Sequence, residues 1–179
     1  FFGNWLIGHA GTTTRFLPLR DTLTRARAEI EREDGEADWS DLLKCAYHTH
    51  RDASIHAHFL AQYHIDSVDD WRKTGLLEFG EAEFARINEK IEDHDLGIDF
   101  LLAGFTPQNN TMILGIKHPG EVDDYTALGH VAIGWGGILA TGWLNSTYRI
   151  RAPLKECVLR VHQAKLLSES SNYVGTETV

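Results

Sequence analysis

The stretch Gly129-His-Val-Ala-Ile-Gly134-Trp-Gly136-Gly137-Ile-Leu-Ala140 joins an apolar run to three glycines within four positions. The apolar run predicts a buried β-strand, and the residues after Gly137 predict a helix that follows directly. Glycines clustered between two elements allow a turn in which the backbone approaches a neighbouring group closely. The stretch is not a phosphate-binding loop, because it lacks the Gly-Lys-Ser/Thr ending of that motif. We therefore expect a strand, a tight turn and a helix here.

Composition limits the classes of function open to this chain. Its 179 residues, 42% of them hydrophobic, can bury one sizeable core, so one domain is expected. The net charge of −9 argues against nucleic acid as a partner, and no apolar run is long enough to span a membrane. Cys45 and Cys157 lie far apart in helical patterns. That usage favours buried, inert thiols in a reducing cytoplasm.

The first part of the chain is expected to form a strand followed by helices. Residues 2–10 are strand-like, and a helix begins after them with Thr14 as its cap and Pro18 in its first turn. Gly35 is the expected end of that helix. A second helix is expected to begin near Asp38 or Ser40 and to run to His64, with 42–64 as its histidine-rich part. It has apolar residues on two sides, so we expect it to be buried on both.

Two further helices precede a hairpin. Ser67 opens a short helix that Gly75 ends, and another helix spans 81–91. Apolar strands over 98–105 and 111–117, separated by a polar turn, form an antiparallel hairpin.

The C-terminal part is mainly helical. Asp123-Asp124 is expected to be a solvated acidic turn, and a helix over 137–147 follows the glycine turn. Pro153 lies in the first turn of a last helix. Its expected inner face consists of Leu154, Cys157, Val161, Ala164 and Ser168. Because strands are segregated from helices along the chain, we predict an α+β fold rather than alternating βαβ units.

These patterns together resemble proteasome β-type subunits and their bacterial relatives. The resemblance is carried, in this order and spacing, by Leu6-Ile-Gly-His-Ala-Gly11, Phe100-Leu-Leu-Ala-Gly-Phe105, Pro119-Gly120 and Ala132-Ile-Gly-Trp-Gly-Gly-Ile-Leu-Ala140. It implies a four-layer αββα sandwich, in which two antiparallel sheets lie between helical layers. Residues 1–179 would form a single proteasome-like domain that lacks the first strands and carries a helical elaboration at about 66–92.

The resemblance also implies an activity, the hydrolysis of amide bonds by an N-terminal-nucleophile (Ntn) hydrolase. The nucleophile of this family is an N-terminal Thr, whose free α-amine (pKa near 8) takes the hydroxyl proton itself. The sequence begins Phe1-Phe2, so we expect the nucleophile outside it. Gly11-Thr12 looks like the family's autocleavage junction. We reject that interpretation, because two strands that carry the family's Asp and Lys should follow a true junction and here a helix begins at once.

The resemblance assigns site roles to residues at the end of the first strand. Gly11 is expected to donate its backbone N–H to the oxyanion of the tetrahedral intermediate. His9 and Thr13 are expected to line the pocket for the residue that precedes the scissile bond. The alternative for Gly11 is a structural role, in which it permits a tight turn.

Other residues near the expected site depart from the family's pattern. Trp135, followed by Gly136, replaces the serine of the glycine turn. Ser171 and Val174 align with an Asp and a Ser that hold the N-terminal amine, and neither Val174 nor Trp135 offers a hydroxyl. These departures favour an alternative in which the chain is a catalytically inert structural subunit of a proteasome-like ring or dimer.

The predicted helix over 42–64 carries five of the ten histidines. His48, Asp52 and His56 recur at every fourth residue and form one row about 12 Å long. Two histidines and a carboxylate can bind Zn²⁺, but a single ion would reach only one adjacent pair of this row. Without a metal they would be solvated or interfacial histidines, and we favour a pH-sensitive contact with a neighbouring subunit over metal binding.

The sequence therefore predicts a proteasome-like threonine protease or amidohydrolase subunit that acts on peptide or amide substrates. We expect a homo-oligomer, either a ring or a dimer, located in the cytoplasm. No cofactor, metal, nucleic acid or membrane partner is expected. The alternative function is that of an inert structural subunit, and a metal-binding histidine-rich protein is a third interpretation.

Overall fold

A computed structural model of the chain describes residues 5–32, 38–106 and 108–170, with the side chains of 29–32 excepted. These residues form two compact units. Of the described residues, the first unit takes those up to Thr13, those within Asp99–Lys117 and those from Val122 to Ser170, and the second takes those between Thr14 and Ile98 together with His118–Glu121.

The first unit contains a four-stranded sheet. Its strands are β1 (Trp5–Gly11), β2 (Ile98–Phe105), β3 (Thr111–Lys117) and β4 (Glu121–Asp124), and they lie in the order β1-β2-β3-β4. β2 and β3 pair antiparallel, from Phe100 opposite Ile116 to Phe105 opposite Thr111. The predicted hairpin is therefore confirmed with its bounds, because two apolar β-rich runs flank a polar turn.

The strand predicted from the apolar run of the opening motif is wrong. Residues 130–133 adopt no regular secondary structure. Gly129 (φ 73°) and Gly134 (φ 83°) bound the run with positive φ values, which lie outside the β region. The fourth strand is instead β4, so the prediction of an acidic turn at Asp123-Asp124 is also wrong.

Two helices complete the first unit. The helix α4 (Gly137–Thr147) confirms the prediction over 137–147, and α5 (Leu154–Ser168) begins directly after Pro153, which is its N-terminal cap residue. Ala140 and Leu144 of α4 pack against Ala164 of α5 in a small apolar cluster.

The predicted inner face of α5 is only partly correct. Ala164 and Ser168 are buried, but Leu154 is 79% exposed and Val161 is 56% exposed. At 100° per residue, Leu154 lies about 80° around the helix from Ala164. The contact with α4 is therefore a narrow stripe that does not extend to Leu154.

The second unit is helical. It contains α1 (Thr13–Arg32), α2 (Trp39–Ile55) and α3 (Val68–Glu92), and α2 continues through a π-helical turn (His56–Leu60) and a 3-10 turn (Ala61–Tyr63). Two caps form as the sequence predicts. Asp38 accepts the backbone N–H groups of Ser40 (2.9 Å) and Asp41 (3.2 Å), and Ser67 accepts that of Asp70 (3.1 Å). The expected stop at Gly35 lies outside the described residues.

Two predicted details of these helices are wrong. Pro18 is the sixth residue of α1 rather than part of its first turn, and Thr14 lies inside the helix rather than capping it. Gly75 does not end a helix. It lies inside α3, which continues to a break at Gly80 (φ 79°, ψ 166°) and then on to Glu92.

Residues of all these helical segments build the core of the second unit. Leu19 and Leu23 of α1 are fully buried, as the predicted apolar face requires. One apolar cluster is formed by the end of α2, the segment between α2 and α3, and α3 itself. It consists of Ile55, Leu60, Ile65, Val68, Trp71, Ile87 and Ile91. Trp71 donates its indole N–H to the Asn88 side-chain oxygen at 2.9 Å, which satisfies the one polar group that it buries. No helix of the described ranges is long and apolar enough to cross a membrane.

Candidate functional site

The end of β1 and the glycine turn lie directly against each other in the first unit. A Cβ atom placed on Gly134 would lie 2.8 Å from the Cβ atom of Ala10, a distance that real side chains do not adopt. Gly134 also has φ 83°, a conformation that favours glycine. The expectation that this turn brings the backbone close to a neighbouring group is therefore met, and the neighbour is the residue before Gly11.

The rest of the turn is equally close-packed. The N–H of Gly137 donates to the carbonyl oxygen of Gly134 at 2.9 Å, and a Cβ on Gly137 would lie 3.0 Å from the carbonyl oxygen of Ala132. Gly136 is buried and occupies the N-terminal cap position of α4. The glycines thus allow a turn that leads from the loop into α4 without a spacer.

The three residues to which the resemblance assigns site roles lie together at the end of β1. Gly11 is exposed and has φ 102°, so this position too favours glycine. The His9 ring nitrogen Nε2 lies 3.4 Å from Thr13 Oγ1, so the two expected pocket residues contact each other. Their roles in oxyanion and side-chain binding remain predictions.

Of the residues expected near the site that depart from the family's pattern, the structure describes only some. Trp135 is 79% exposed, so most of its indole faces solvent beside the turn. Ser171 and Val174, predicted to stand near the N-terminal amine, lie outside the described residues.

A cavity of about 470 Å³ opens next to the turn, within the first unit. Its apolar wall includes Phe100, Ile116, Ala132, Ile133 and Ile138. Its charged groups come from the sheet: Asp99 of β2, Lys117 of β3 and Asp123 of β4. One Asp99 oxygen (Oδ2) accepts the backbone N–H of Gly134 at 3.1 Å, so this carboxylate ties the sheet to the glycine turn.

Sequence reasoning missed Asp99, although a signal was available. The hairpin prediction fixes the register, and extending it by one pair beyond Phe100 and Ile116 sets Asp99 opposite Lys117. Asp99 is the only charged residue of β2, and Lys117 is the only one of β3. A charged pair at the end of an otherwise apolar hairpin indicates a polar edge where a site can form.

Tyr125 extends the polar side of this cavity. Its hydroxyl donates to Asp123 Oδ2 at 3.1 Å, and burial, this hydrogen bond and the charge of Asp99 raise the pKa of the phenol. Next to it, the Asp124 carboxylate accepts the Thr126 backbone N–H at 2.8 Å, and hydrogen bonding to Thr126 lowers its pKa. Tyr125 therefore stays a neutral hydrogen-bond donor near two carboxylates.

The histidine-rich helix lies in the second unit. His48, Asp52 and His56 line a surface groove there, which they share with Arg51 and Arg72. Among the described residues, no three His, Cys, Asp or Glu side chains are arranged to hold one metal ion. The metal interpretation of the row therefore gains no support from the geometry.

The burial predicted for the two cysteines is not found. Cys45 is exposed, because the buried residues of α2 lie on the face of Leu42, Leu43, Ala46 and Tyr47. Cys157 is half-buried, and its thiol donates to the Ala152 carbonyl at 3.5 Å.

A serine and a histidine meet in the second unit, which the sequence did not indicate. His94 Nε2 lies 2.9 Å from Ser54 Oγ, and His58 Nδ1 lies 2.7 Å from the Ser54 carbonyl oxygen. Burial lowers the pKa of His94, and the positive charges of His58 and Arg51 lower it further. Ser54 and His94 are forty residues apart in the chain, so no local pattern could have joined them.

Comparison with known proteins bears on the fold. No protein-family model matches the sequence, and no curated protein is similar to it in sequence. Among solved structures, the chain is similar to eukaryotic HslV from Trypanosoma brucei, with a TM-score of 0.52 and 17% identical residues. The match covers 96% of this chain and 71% of the HslV chain. At this identity the likeness supports a shared fold, with a mixed arrangement of helices and an antiparallel sheet.

Proposed function

We propose that this chain is the body of a proteasome-like Ntn hydrolase subunit that cleaves peptide or amide bonds. The observation that carries the proposal is the contact of Gly134 with Ala10, which places the glycine turn beside Gly11. Both segments belong to the sequence resemblance, yet more than one hundred residues separate them. The likeness to the solved structure of HslV supports the fold on which this proposal depends.

The proposed fold contains more than the one sheet described above. In it, residues 1–179 form one four-layer αββα domain, in which the sheet β1-β2-β3-β4 faces a second antiparallel sheet. Strands from upstream of Phe1 belong to that second sheet. The helical segment at about 66–92, most of which is α3, elaborates the domain.

The proposed mechanism uses an N-terminal Thr encoded upstream of Phe1. Its α-amine takes the proton of its own hydroxyl, and the resulting alkoxide attacks the amide carbonyl. The protonated α-amine then gives this proton to the leaving nitrogen as the C–N bond breaks, and water hydrolyses the ester that remains on the Thr. The backbone N–H of Gly11 stabilises the oxyanion, an effect typically worth about 3 to 4 kcal/mol. His9 and Thr13 line the pocket beside it. No cofactor takes part in these steps.

The N-terminus of the mature full-length protein tests this proposal. We expect sequencing of the purified protein to find a Thr at position one, followed by two predicted strands that carry an Asp and a Lys. A mature N-terminus without Thr, Ser or Cys would remove the nucleophile and exclude this mechanism.

Trp135 favours a second candidate function, that of a catalytically inert structural subunit. It stands where the resemblance has a serine, and its bulk beside the turn leaves less room for an N-terminal amine. Replacing it is informative in the full-length protein. If Trp135→Ser creates peptide hydrolysis that the natural protein lacks, the inert role is the correct one.

In either function we propose a homo-oligomer, arranged as a ring or a dimer, in a reducing cytoplasm. The first unit exposes large apolar side chains on α4 and α5, including Ile138 (84% exposed) and Leu154 (79% exposed). Contact with another chain would remove these side chains from water, a favourable change. The histidine-rich helix is a second candidate contact.

A further inference from the structure

We propose that the cavity beside the glycine turn binds a basic side chain of the peptide substrate, a Lys or an Arg. This inference rests on the proposed peptidase function, since it names the class of substrate that the site takes. It is carried by the arrangement of Asp99, Asp123 and Tyr125 around one apolar cavity of about 470 Å³.

Each of the two carboxylates is oriented by one neighbouring donor. Asp99 Oδ2 accepts the Gly134 N–H, and Asp123 Oδ2 accepts the Tyr125 hydroxyl, both at 3.1 Å. A carboxylate has two oxygens and about four lone-pair sites. Within the described residues the second oxygen of each carboxylate has no hydrogen-bond partner. Two oriented acceptors therefore remain for a ligand with several N–H donors.

The apolar wall suits the rest of a basic side chain. Phe100, Ile116 and Ile138 lie around the same cavity. Lys and Arg carry an apolar stem of three or four methylene groups beneath the charged head, and they bury that stem along apolar surface. A small anion or a purely apolar side chain would use only half of this lining.

The position of the cavity relates it to the proposed reaction. Gly134 lines the cavity and also lies against Ala10, the residue before Gly11. A side chain in the cavity therefore lies close to the proposed oxyanion donor. The neighbouring residue of the same peptide can reach Gly11, because consecutive Cα atoms are only about 3.8 Å apart.

Lys117 is the one basic residue among the described residues that line the cavity. It is exposed, and no ion pair joins it to a carboxylate among the described residues. Its ammonium group repels a basic ligand and competes for the same carboxylates. The proposal therefore predicts a sign: removing this charge strengthens the binding of a basic ligand.

Direct binding to the protein tests the inference without any hydrolysis. Two ligands are titrated and followed by the backbone amide signals of Gly134 and Gly115: Nα-acetyl-lysine methylamide and its norleucine counterpart, which lacks only the ammonium group. We expect the lysine ligand to shift both signals and to bind at least about fivefold more tightly than norleucine. Asp99→Asn and Asp123→Asn should each remove most of that preference, whereas Lys117→Met should increase it.

Controls separate the possible causes. Asp99→Asn keeps an oxygen that can accept the Gly134 N–H, and a dispersed amide spectrum shows that each variant is folded. Asp41→Asn changes the net charge equally on an exposed residue of α2 in the second unit, and it should leave the preference intact. Equal binding of both ligands, no shift at Gly134, or weaker binding by Lys117→Met would each overturn the inference. The two proposals can fail separately. If the mature protein lacks an N-terminal nucleophile but still prefers the lysine ligand, the peptidase function is refuted and the assignment of the cavity stands.

Discussion

Gly134 connects the two parts of the candidate site at the scale of a single residue. Its backbone has φ 83°, its N–H is held by Asp99, and its missing Cβ makes room for Ala10. On the side of Gly134, all three features involve only its backbone or the side chain that it lacks. Asp99 and Ala10 come from different strands of the same sheet, so one glycine sets the spacing between that sheet and the turn.

We expect Gly134→Ala to destabilise the protein by about 2 to 4 kcal/mol, because a positive φ costs an L-residue about 1 to 2 kcal/mol and overpacking adds a similar amount. Gly142→Ala is the matched control, since this position of α4 has open space around it. That variant should be more stable than the natural protein by about 0.5 to 1 kcal/mol. Urea unfolding of both variants measures the difference. Equal stability of the two variants would show that Gly134 does not lie against Ala10.

At the scale of elements, α3 contains two glycines with different functions. A Cβ on Gly75 would lie 2.9 Å from Trp71 and 3.1 Å from Phe84, so this glycine makes room for aromatic packing. Gly80 has open space but a conformation (φ 79°, ψ 166°) that only glycine adopts readily. Both Gly75→Ala and Gly80→Ala should cost about 1 to 3 kcal/mol.

The two variants differ in their expected spectra. Gly75→Ala should change the near-ultraviolet circular dichroism, because it displaces the buried Trp71 ring. Gly80→Ala should lower the unfolding midpoint and leave that spectrum unchanged. An altered aromatic spectrum in Gly80→Ala, or an unaltered one in Gly75→Ala, would contradict the packing described for this helix.

The partial burial of His94 makes the stability of the protein depend on pH. The folded protein holds the pKa of His94 below its ordinary value, chiefly through burial and next through the charges of His58, Arg51 and Arg15. The unfolded chain takes up this proton near pH 6.5, whereas the folded chain does so only at lower pH. Stability should therefore fall as the pH decreases from 7 through 6.5 to the folded pKa.

The histidine variants isolate this effect. We expect His94→Gln to flatten the dependence of unfolding free energy on pH between 7 and 5, as measured by urea titration at each pH. His162→Gln removes an exposed histidine of α5 and should leave the slope as it is. A slope that survives in His94→Gln would assign the pH dependence to other groups, such as His50, whose pKa burial also lowers.

The elements differ in how far the sequence predicts them, for physical reasons. The hairpin was predictable because its strand pattern, polar turn and pairing are all local. The strand at 130–133 was not, because an apolar run has the same composition whether it pairs with a strand or packs under a helix. Asp99 and Ser54 acquire their partners only through contacts between distant segments, which periodicity does not encode.

At the scale of the whole molecule, the exposed apolar residues bear on assembly. Ile138, Leu154 and Val158 are each at least 60% exposed on the helices of the first unit. Leaving such side chains in water forgoes the stabilisation that burial would provide. We expect light scattering of the full-length protein to give a mass that is two or more times that of the monomer. A monomeric mass at a protein concentration of tens of micromolar would exclude both the ring and the dimer.

We propose above that the full-length protein is an Ntn hydrolase built around Gly11 and the glycine turn. The most direct measurement is intact mass spectrometry after incubation with a peptide epoxyketone, which forms a covalent adduct with an N-terminal Thr. We predict one adduct per chain, located on the first residue and lost when that residue is changed to Ala. Correctly processed protein that carries no adduct would contradict the claim and leave the chain as an inert subunit.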